Sequence, residues 1–168
     1  MKNNQRDIEI LKDGPICMYH NNGILNEDFS WFSDHSFEVF DMNCQTWTKN
    51  NFHKKIKEAL FFPEYYGENL DAFDDCLGDM FNSKFRGLVL IFRNFDNLVE
   101  EHRPTSEGVL DSISRTSREW LLEGHKLICL IQSNDPDLHF PELGGLRPNW
   151  NGAEWFDANR KTRKHNIL

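Results

Sequence analysis

The chain has 168 residues, of which 39% are hydrophobic, and its 14 phenylalanines argue against disorder. Its 27 acidic and 19 basic side chains give a formal net charge of −8, which disfavours a nucleic-acid ligand because phosphate contacts need lysine and arginine. The same excess of negative charge favours a basic protein as the partner.

The cysteine spacing and the hydrophobic segments bear on the cellular compartment. None of the four cysteines belongs to a C-x-x-C pair or to a zinc-type spacing. No apolar segment approaches the roughly 20 residues of a membrane span, and the first residues lack the apolar core of a signal peptide. We therefore expect a cytoplasmic protein with free thiols that does not bind membranes, with Cys76 and Cys129 buried.

Residues 1–36 precede the first strong pattern and are interpreted as an N-terminal extension. Residues 1–15 are polar and predict no element. Residues 16–20 predict a short strand, and the Asn-Asn-Gly run at residues 21–23 is a turn signal typical of β-hairpins. We therefore expect a hairpin whose return strand begins at Ile24.

Strand and helix patterns alternate over the central part of the chain, about residues 37–133. The predicted strands span residues 37–42, 88–92 and 127–131, and the predicted helices lie between residues 46 and 60, 69 and 80, 94 and 99, and 106 and 124. Pro104 is expected to break the chain before the last helix. The order β-α-α-β-α-α-β implies a single α/β domain with a small, mainly parallel sheet of three or four strands packed against helices.

Residues 134–168 form a C-terminal extension that is rich in proline, glycine and asparagine but also carries aromatic side chains. Disordered tails rarely contain so many aromatics. We expect this extension to be ordered up to about Phe156 and to pack on the domain, because Trp150 and Trp155 would otherwise expose large apolar areas. A basic, frayed end is predicted at residues 160–164.

Residues 62–80 contain a loop followed by a strongly amphipathic helix. Pro63 and Gly67 predict a tight loop that carries Tyr65 and Tyr66, and Asn69 is suited to cap the helix. The apolar stripe of this helix consists of Leu70, Phe73, Leu77 and Met80. The opposite face consists of Asp71, Asp74, Asp75 and Asp79, with no lysine or arginine among them.

Four carboxylates on one helix face repel each other and lower the stability of the helix. One interpretation is an ordinary solvated surface. The sharper interpretation is a surface that binds a basic partner, whose positive charge offsets the repulsion.

Residues 63–77 strongly resemble the loop and second helix of the barstar family of intracellular ribonuclease inhibitors. The resemblance rests on the run Pro-Glu-Tyr-Tyr-Gly-Glu-Asn-Leu-Asp-Ala, which Asp75-Cys76-Leu77 follows. It extends more weakly over about residues 37–133. The resemblance implies a bacterial, cytoplasmic immunity protein of the toxin–antitoxin kind, which is monomeric until it blocks a cytotoxic ribonuclease in a 1:1 complex.

The resemblance also implies which residues contact the ribonuclease. Asp75 matches the central carboxylate of the family, Asp71 a second contact acid, and Tyr65 the loop tyrosine that packs on the nuclease. Glu119, near the end of the long helix, aligns with a further acidic contact. The full candidate partner-binding set is Tyr65, Tyr66, Gly67, Asn69, Asp71, Asp74, Asp75, Asp79 and Glu119.

The sequence also departs from the family pattern on this helix. Asp74 and Met80 stand where the family has tryptophans, and Asp79 stands where it has a glycine. The surface is therefore more acidic and less aromatic than in the family, which leaves the identity of the nuclease open.

Two further functions remain open from the residues alone. The aspartates could bind a divalent cation, which would make the chain a metal-dependent phosphate-processing enzyme, although hard-cation sites usually converge from several elements. A barstar-like module could also bind a protein that is not a nuclease. No catalytic, nucleotide-binding or metal-binding motif is present, so we expect neither catalysis nor a cofactor.

Overall fold

The computed structural model describes residues 5–156 as an α/β fold. Its strands are β1 (Ile16–Tyr19), β2 (Glu38–Asn43), β3 (Leu88–Arg93), β4 (Leu127–Gln132) and β5 (Asn149–Trp150). Its helices are α1 (Arg6–Asp13), α2 (Asn22–Asp34), α3 (Phe52–Leu60), α4 (Leu70–Gly78), α5 (Phe95–Glu101), α6 (Arg103–Leu122) and a short 3-10 helix, Gly152–Phe156. The basic end predicted at residues 160–164 lies outside the described residues.

The five strands run parallel in one sheet, in the order β2-β3-β4-β1-β5. The predicted α/β class and parallel sheet are confirmed, but the sheet has five strands instead of three or four. The two additional strands come from the extensions on either side of residues 37–133. β5 has only two residues, which is too short for an alternation pattern to reveal.

Helices cover both faces of the sheet, and each face has its own hydrophobic core. In β3, Leu90 and Phe92 point into the core formed with α3 to α6, whereas Val89 and Ile91 point into the core formed with α1 and α2. Strands buried on both faces appear in the sequence as continuous apolar runs, which made β3 and β4 predictable. All four cysteines are free, as predicted, and all four are buried, although burial was predicted only for Cys76 and Cys129.

The hairpin predicted in the N-terminal extension is wrong. β1 forms as expected, but a helix follows because Asn21 Oδ1 accepts hydrogen bonds from the N–H groups of Gly23, at 2.7 Å, and Ile24, at 3.4 Å. β1 pairs with β4 instead of a return strand. The Asn-Asn-Gly run therefore begins α2, because asparagine is equally suited to turns and to helix caps. Residues 6–13, for which no element was predicted, form α1.

The chain break predicted at Pro104 occurs two residues earlier, at His102, between α5 and α6. Helix α6 begins at Arg103, and Pro104 lies in its first turn. Proline is tolerated there because the first N–H groups of a helix have no partner within the helix. The His102 side chain caps this turn, since its Nδ1 accepts a hydrogen bond of 3.2 Å from the N–H of Thr105.

The C-terminal extension contacts β1 and the beginning of α2, and Trp150 is partly buried against the core as expected. β5 pairs with β1. Glu154 is fully buried, and its Oε1 accepts hydrogen bonds from the N–H groups of His20, at 2.8 Å, and Asn21, at 2.9 Å. Trp155, which was expected to be buried, is 58% exposed. A strand and a buried carboxylate therefore hold this extension.

Candidate functional site

The loop between α3 and α4 obtains its shape from left-handed residues other than the expected glycine. Phe61 ends α3 with φ 56°, and Glu68 precedes the helix cap with φ 52°. Gly67 is not left-handed, and a Cβ at this position would lie 3.4 Å from Ala72 Cβ. The expectation that Gly67 supplies the unusual backbone geometry is therefore wrong.

The two adjacent tyrosines of the loop have different environments. Tyr65 is 81% exposed, whereas Tyr66 is only 6% exposed and its ring packs against Phe62. The Tyr66 hydroxyl lies 2.6 Å from His53 Nδ1. Burial raises the pKa of Tyr66 and lowers the pKa of His53, so both groups are neutral near pH 7. Both tyrosines were expected to contact a partner. Tyr65 is accessible to one, whereas Tyr66 is buried and supports the loop from inside.

Helix α4 begins at the predicted cap. Asn69 Oδ1 accepts a hydrogen bond of 2.8 Å from the N–H of Ala72, which satisfies one of the free donors of the first turn. Phe73 and Leu77 are fully buried in the core below the helix. Because these side chains fix the rotation of α4 about its own axis, the opposite face of the helix is held toward the solvent.

The four aspartates of α4 and its end do not form a uniform set. Asp71, Asp75 and Asp79 are exposed and form no salt bridge with any residue between 5 and 156. Asp74 is half-buried, and its Oδ2 accepts a hydrogen bond of 3.0 Å from Arg115 Nη2. The helix itself carries no lysine or arginine, but α6 supplies this basic side chain to Asp74. We call Asp71, Asp75 and Asp79 the acidic face.

Helix α6 lies beside α4 and runs in the same direction. The contacts between them occur in the same order along both segments. Leu70 lies against Gly108, Asp74 contacts Arg115, and Phe81, just after α4, packs against Trp120. The helices approach closely at their beginnings, since a Cβ at position 108 would lie 2.6 Å from Leu70 Cδ1. Glu119 is exposed and directly precedes Trp120, so it lies toward the Asp79 end of the acidic face.

Sequence reasoning missed two residues of this region, Arg115 and Phe61. Arg115 carries only the signal of an i,i+4 pair with Asp111, which indicates a contact within its own helix. Phe61 lies in the apolar run at residues 60–62, which is typical of a buried helix end, yet its side chain is 83% exposed. No local sequence pattern indicates the contact between α4 and α6 or the exposure of the Phe61 ring.

The described residues provide no metal site and no membrane-spanning helix. Between residues 5 and 156, no group of three or more His, Cys, Asp or Glu side chains is placed to hold a metal ion. The carboxylates of the acidic face diverge from a convex helix, whereas a hard cation needs converging oxygen ligands. Among the helices of the same region, none has both the length and the apolar character needed to cross a bilayer.

Comparison with known proteins provides the family. Residues 37–132 match the family model described as Barstar (barnase inhibitor). A stretch of 44 residues, 26% of the chain, is 43% identical to the Bacillus subtilis (strain 168) protein named "Putative ribonuclease inhibitor YrdF". This match spans 45% of the length of that relative. Because the family model covers more than half of the chain, from β2 to the end of β4, the chain belongs to the barstar family.

Proposed function

We propose that the chain is an immunity protein that binds a cytotoxic ribonuclease in the cytoplasm of the producing cell and blocks its active site. The observation that carries this proposal is the acidic face. Its three carboxylates project from a helix anchored in the core and have no counter-charge among residues 5–156. A basic partner would supply the missing charge.

The chemistry of ribonucleases provides the complementary surface. Their active sites hold RNA phosphates, so they present arginine and lysine side chains in a cleft. A carboxylate that enters a phosphate subsite forms charge-assisted hydrogen bonds with those side chains. Aspartates suit this role because their short side chains lose little rotamer entropy when they become fixed.

The proposed contacts differ in importance. Asp75 is at the middle of the acidic face and is assigned the central subsite, with Asp71 beside it. Tyr65 provides an exposed aromatic contact from the loop. Asp79 and Glu119 form an acidic rim whose main effect is on the rate of association.

Other candidate residues have supporting roles in this proposal. Asn69 caps α4, Gly67 belongs to the loop beside this cap, and Tyr66 supports the loop from inside. Asp74 is paired with Arg115 and is therefore less available to a partner. We assign the chain no catalytic role and no cofactor.

The test is inhibition of a cognate ribonuclease, sought first among nucleases encoded beside this gene. Titrating that nuclease with the purified chain should abolish RNA cleavage at one inhibitor per nuclease, and the free chain should be monomeric in light scattering. RNA turnover by the purified chain itself, lost in Asp75→Ala, would overturn the proposal. Binding without loss of cleavage would identify a module with another function.

A further inference from the structure

Phe61 combines two features that are unfavourable in the isolated protein. It adopts a left-handed backbone, with φ 56° and ψ 40°, at the end of α3, where glycine or asparagine is usual because a Cβ is poorly tolerated. Its side chain is also 83% exposed, and its ring makes a tilted contact with Phe40 in which the centroids are 6.5 Å apart. Packing therefore does little to offset the cost of this backbone, a combination associated with functional positions.

The exposed ring forms one wall of a cleft of about 450 Å³ between α3 and the loop that leads to α4. The cleft is lined by Lys54, Lys57, Glu58, Phe61, Phe62, Glu64 and Glu68. Glu68, like Phe61, is left-handed, so two of the four non-glycine residues with positive φ among residues 5–156 line this cleft. Unusual backbone geometry is thus concentrated at one place on the surface.

The charges of the cleft favour a positively charged occupant. Three glutamates and two lysines give the cleft an excess of one negative charge, and the pair of Lys57 with Glu64, 3.5 Å apart, leaves two glutamates and Lys54. Glu58 and Glu68 form no salt bridge within the described part of the chain. The face of an exposed aromatic ring attracts cations, most strongly when a partner excludes water from the contact.

We propose that a basic side chain of the ribonuclease enters this cleft and lies across the ring of Phe61. This inference rests on the proposed function, because the same basic partner would bind the acidic face. The cleft and the acidic face are continuous along the chain: Glu68 lines the cleft, Asn69 caps α4, and Asp71 begins the acidic face. Phe61 is therefore a second anchor that determines which nuclease the chain accepts.

The test compares substitutions at Phe61 in the full chain against the cognate ribonuclease. Phe61→Ala should weaken binding at least tenfold. Phe61→Leu should weaken it to a similar extent, because leucine keeps apolar bulk but has no aromatic face. Phe156→Ala is the matched control, since Phe156 is also exposed but lies in the C-terminal extension, and it should leave binding unchanged.

A third variant separates binding from folding. Phe61→Gly removes the ring and also relieves the left-handed backbone, so it should keep or raise the melting temperature while it weakens binding at least tenfold. A purely structural Phe61 would show lower stability together with unchanged affinity.

The possible outcomes distinguish this inference from the function on which it rests. If Asp75→Ala weakens binding while Phe61→Ala does not, the second anchor is overturned and the proposed function stands. If Phe61→Leu binds within threefold of the wild type, a cation does not lie on the ring. If the wild-type chain binds no ribonuclease, both proposals fail.

Discussion

Asp28 and Asp75 lie on opposite sides of the sheet and have opposite environments. On the side of α1 and α2, Asp28 is buried, and Arg6 Nε donates to its Oδ1 at 2.7 Å. On the side of α4, Asp71 and Asp75 are exposed and have no salt bridge among residues 5–156. A buried carboxylate needs a counter-charge because removing an ion from water is costly. An exposed carboxylate stays hydrated and can bind a basic partner.

On the buried side, several elements together satisfy the charge of Asp28. Asp28 Oδ2 accepts hydrogen bonds from Arg6 Nη2, the Tyr19 hydroxyl and Asn151 Nδ2, so one carboxylate joins α1, α2, β1 and the C-terminal extension. Asp7 is also fully buried, and Lys126 Nζ donates to it at 2.6 Å. These two buried carboxylates are paired, whereas the carboxylates of the acidic face are exposed and form no salt bridge among residues 5–156.

The largest expected effect is on the exposed side, at Asp75. Asp75→Ala should cost roughly 2–5 kcal/mol of binding free energy, because a basic group of the nuclease would be left buried and unpaired. Measurements on the barnase–barstar complex support that principle, so the magnitude belongs to the family and not to this chain alone. Stopped-flow and competition binding should show a faster dissociation rate.

The control for this variant is Asp34→Ala, which removes an exposed aspartate from α2 on the other side of the sheet. It should change neither rate. A loss of less than about tenfold for Asp75→Ala, or about 1.4 kcal/mol, would show that α4 does not block the active site in the proposed way.

The next effect is on the buried side and on stability. Asp28→Asn should lower the free energy of unfolding by about 3 kcal/mol, the lower end of the range for a broken buried pair, because Arg6 remains partly exposed. Urea unfolding followed by circular dichroism measures this loss, with Asp34→Asn on the same helix as control. Folded Asp28→Asn should still inhibit the nuclease fully, and a matching loss of affinity would show that the two sides are coupled.

A third prediction concerns acid stability. Burial raises the pKa of Asp7, but the hydrogen bond and charge of Lys126 outweigh it, so the pKa lies below its ordinary value. The Asp7 carboxylate therefore stabilises the fold above the unfolded pKa of about 3.9, and this contribution is lost as the pH falls through the lower folded value. The difference in unfolding free energy between wild type and Asp7→Asn should shrink as the pH falls from 6 to 3; a constant difference would contradict the prediction.

The smallest effect is expected at the acidic rim. Asp79→Asn should lower the association rate constant by no more than about tenfold and leave the dissociation rate constant nearly unchanged. The reason is that an exposed rim charge acts mainly on the diffusional encounter. The salt dependence of the association rate should become flatter. If dissociation changes instead, Asp79 belongs to the central contact.

The sequence predicted best the features that depend on local patterns. Apolar runs located β3 and β4, and Asn69 with the stripe from Leu70 to Leu77 located α4 and its exposed face. The contact of Asp74 with Arg115 joins residues 41 positions apart, so no local pattern predicts it. Adjacent side chains in an irregular loop have no fixed period either, which is why Tyr65 and Tyr66 could not be distinguished.

The N-terminal error has a different cause. Asn21 satisfies backbone donors equally well in a turn and at a helix start, so the outcome depends on what covers β1. Here β4 and β5 pair with its two edges, and a return strand has no place. The family resemblance did not help because the matched residues begin at Phe37.

The strand order has a consequence for synthesis of the chain on the ribosome. The two neighbours of β1 in the sheet, β4 and β5, are synthesised more than 100 residues after it. Helix α4 likewise emerges before α6, the helix on which it packs. Pairing over such separations closes large loops and slows folding. Under the proposed function, a nascent chain therefore carries the carboxylates of the acidic face before it can hold them in place, and it can inhibit the nuclease only after α6 and β4 have been synthesised.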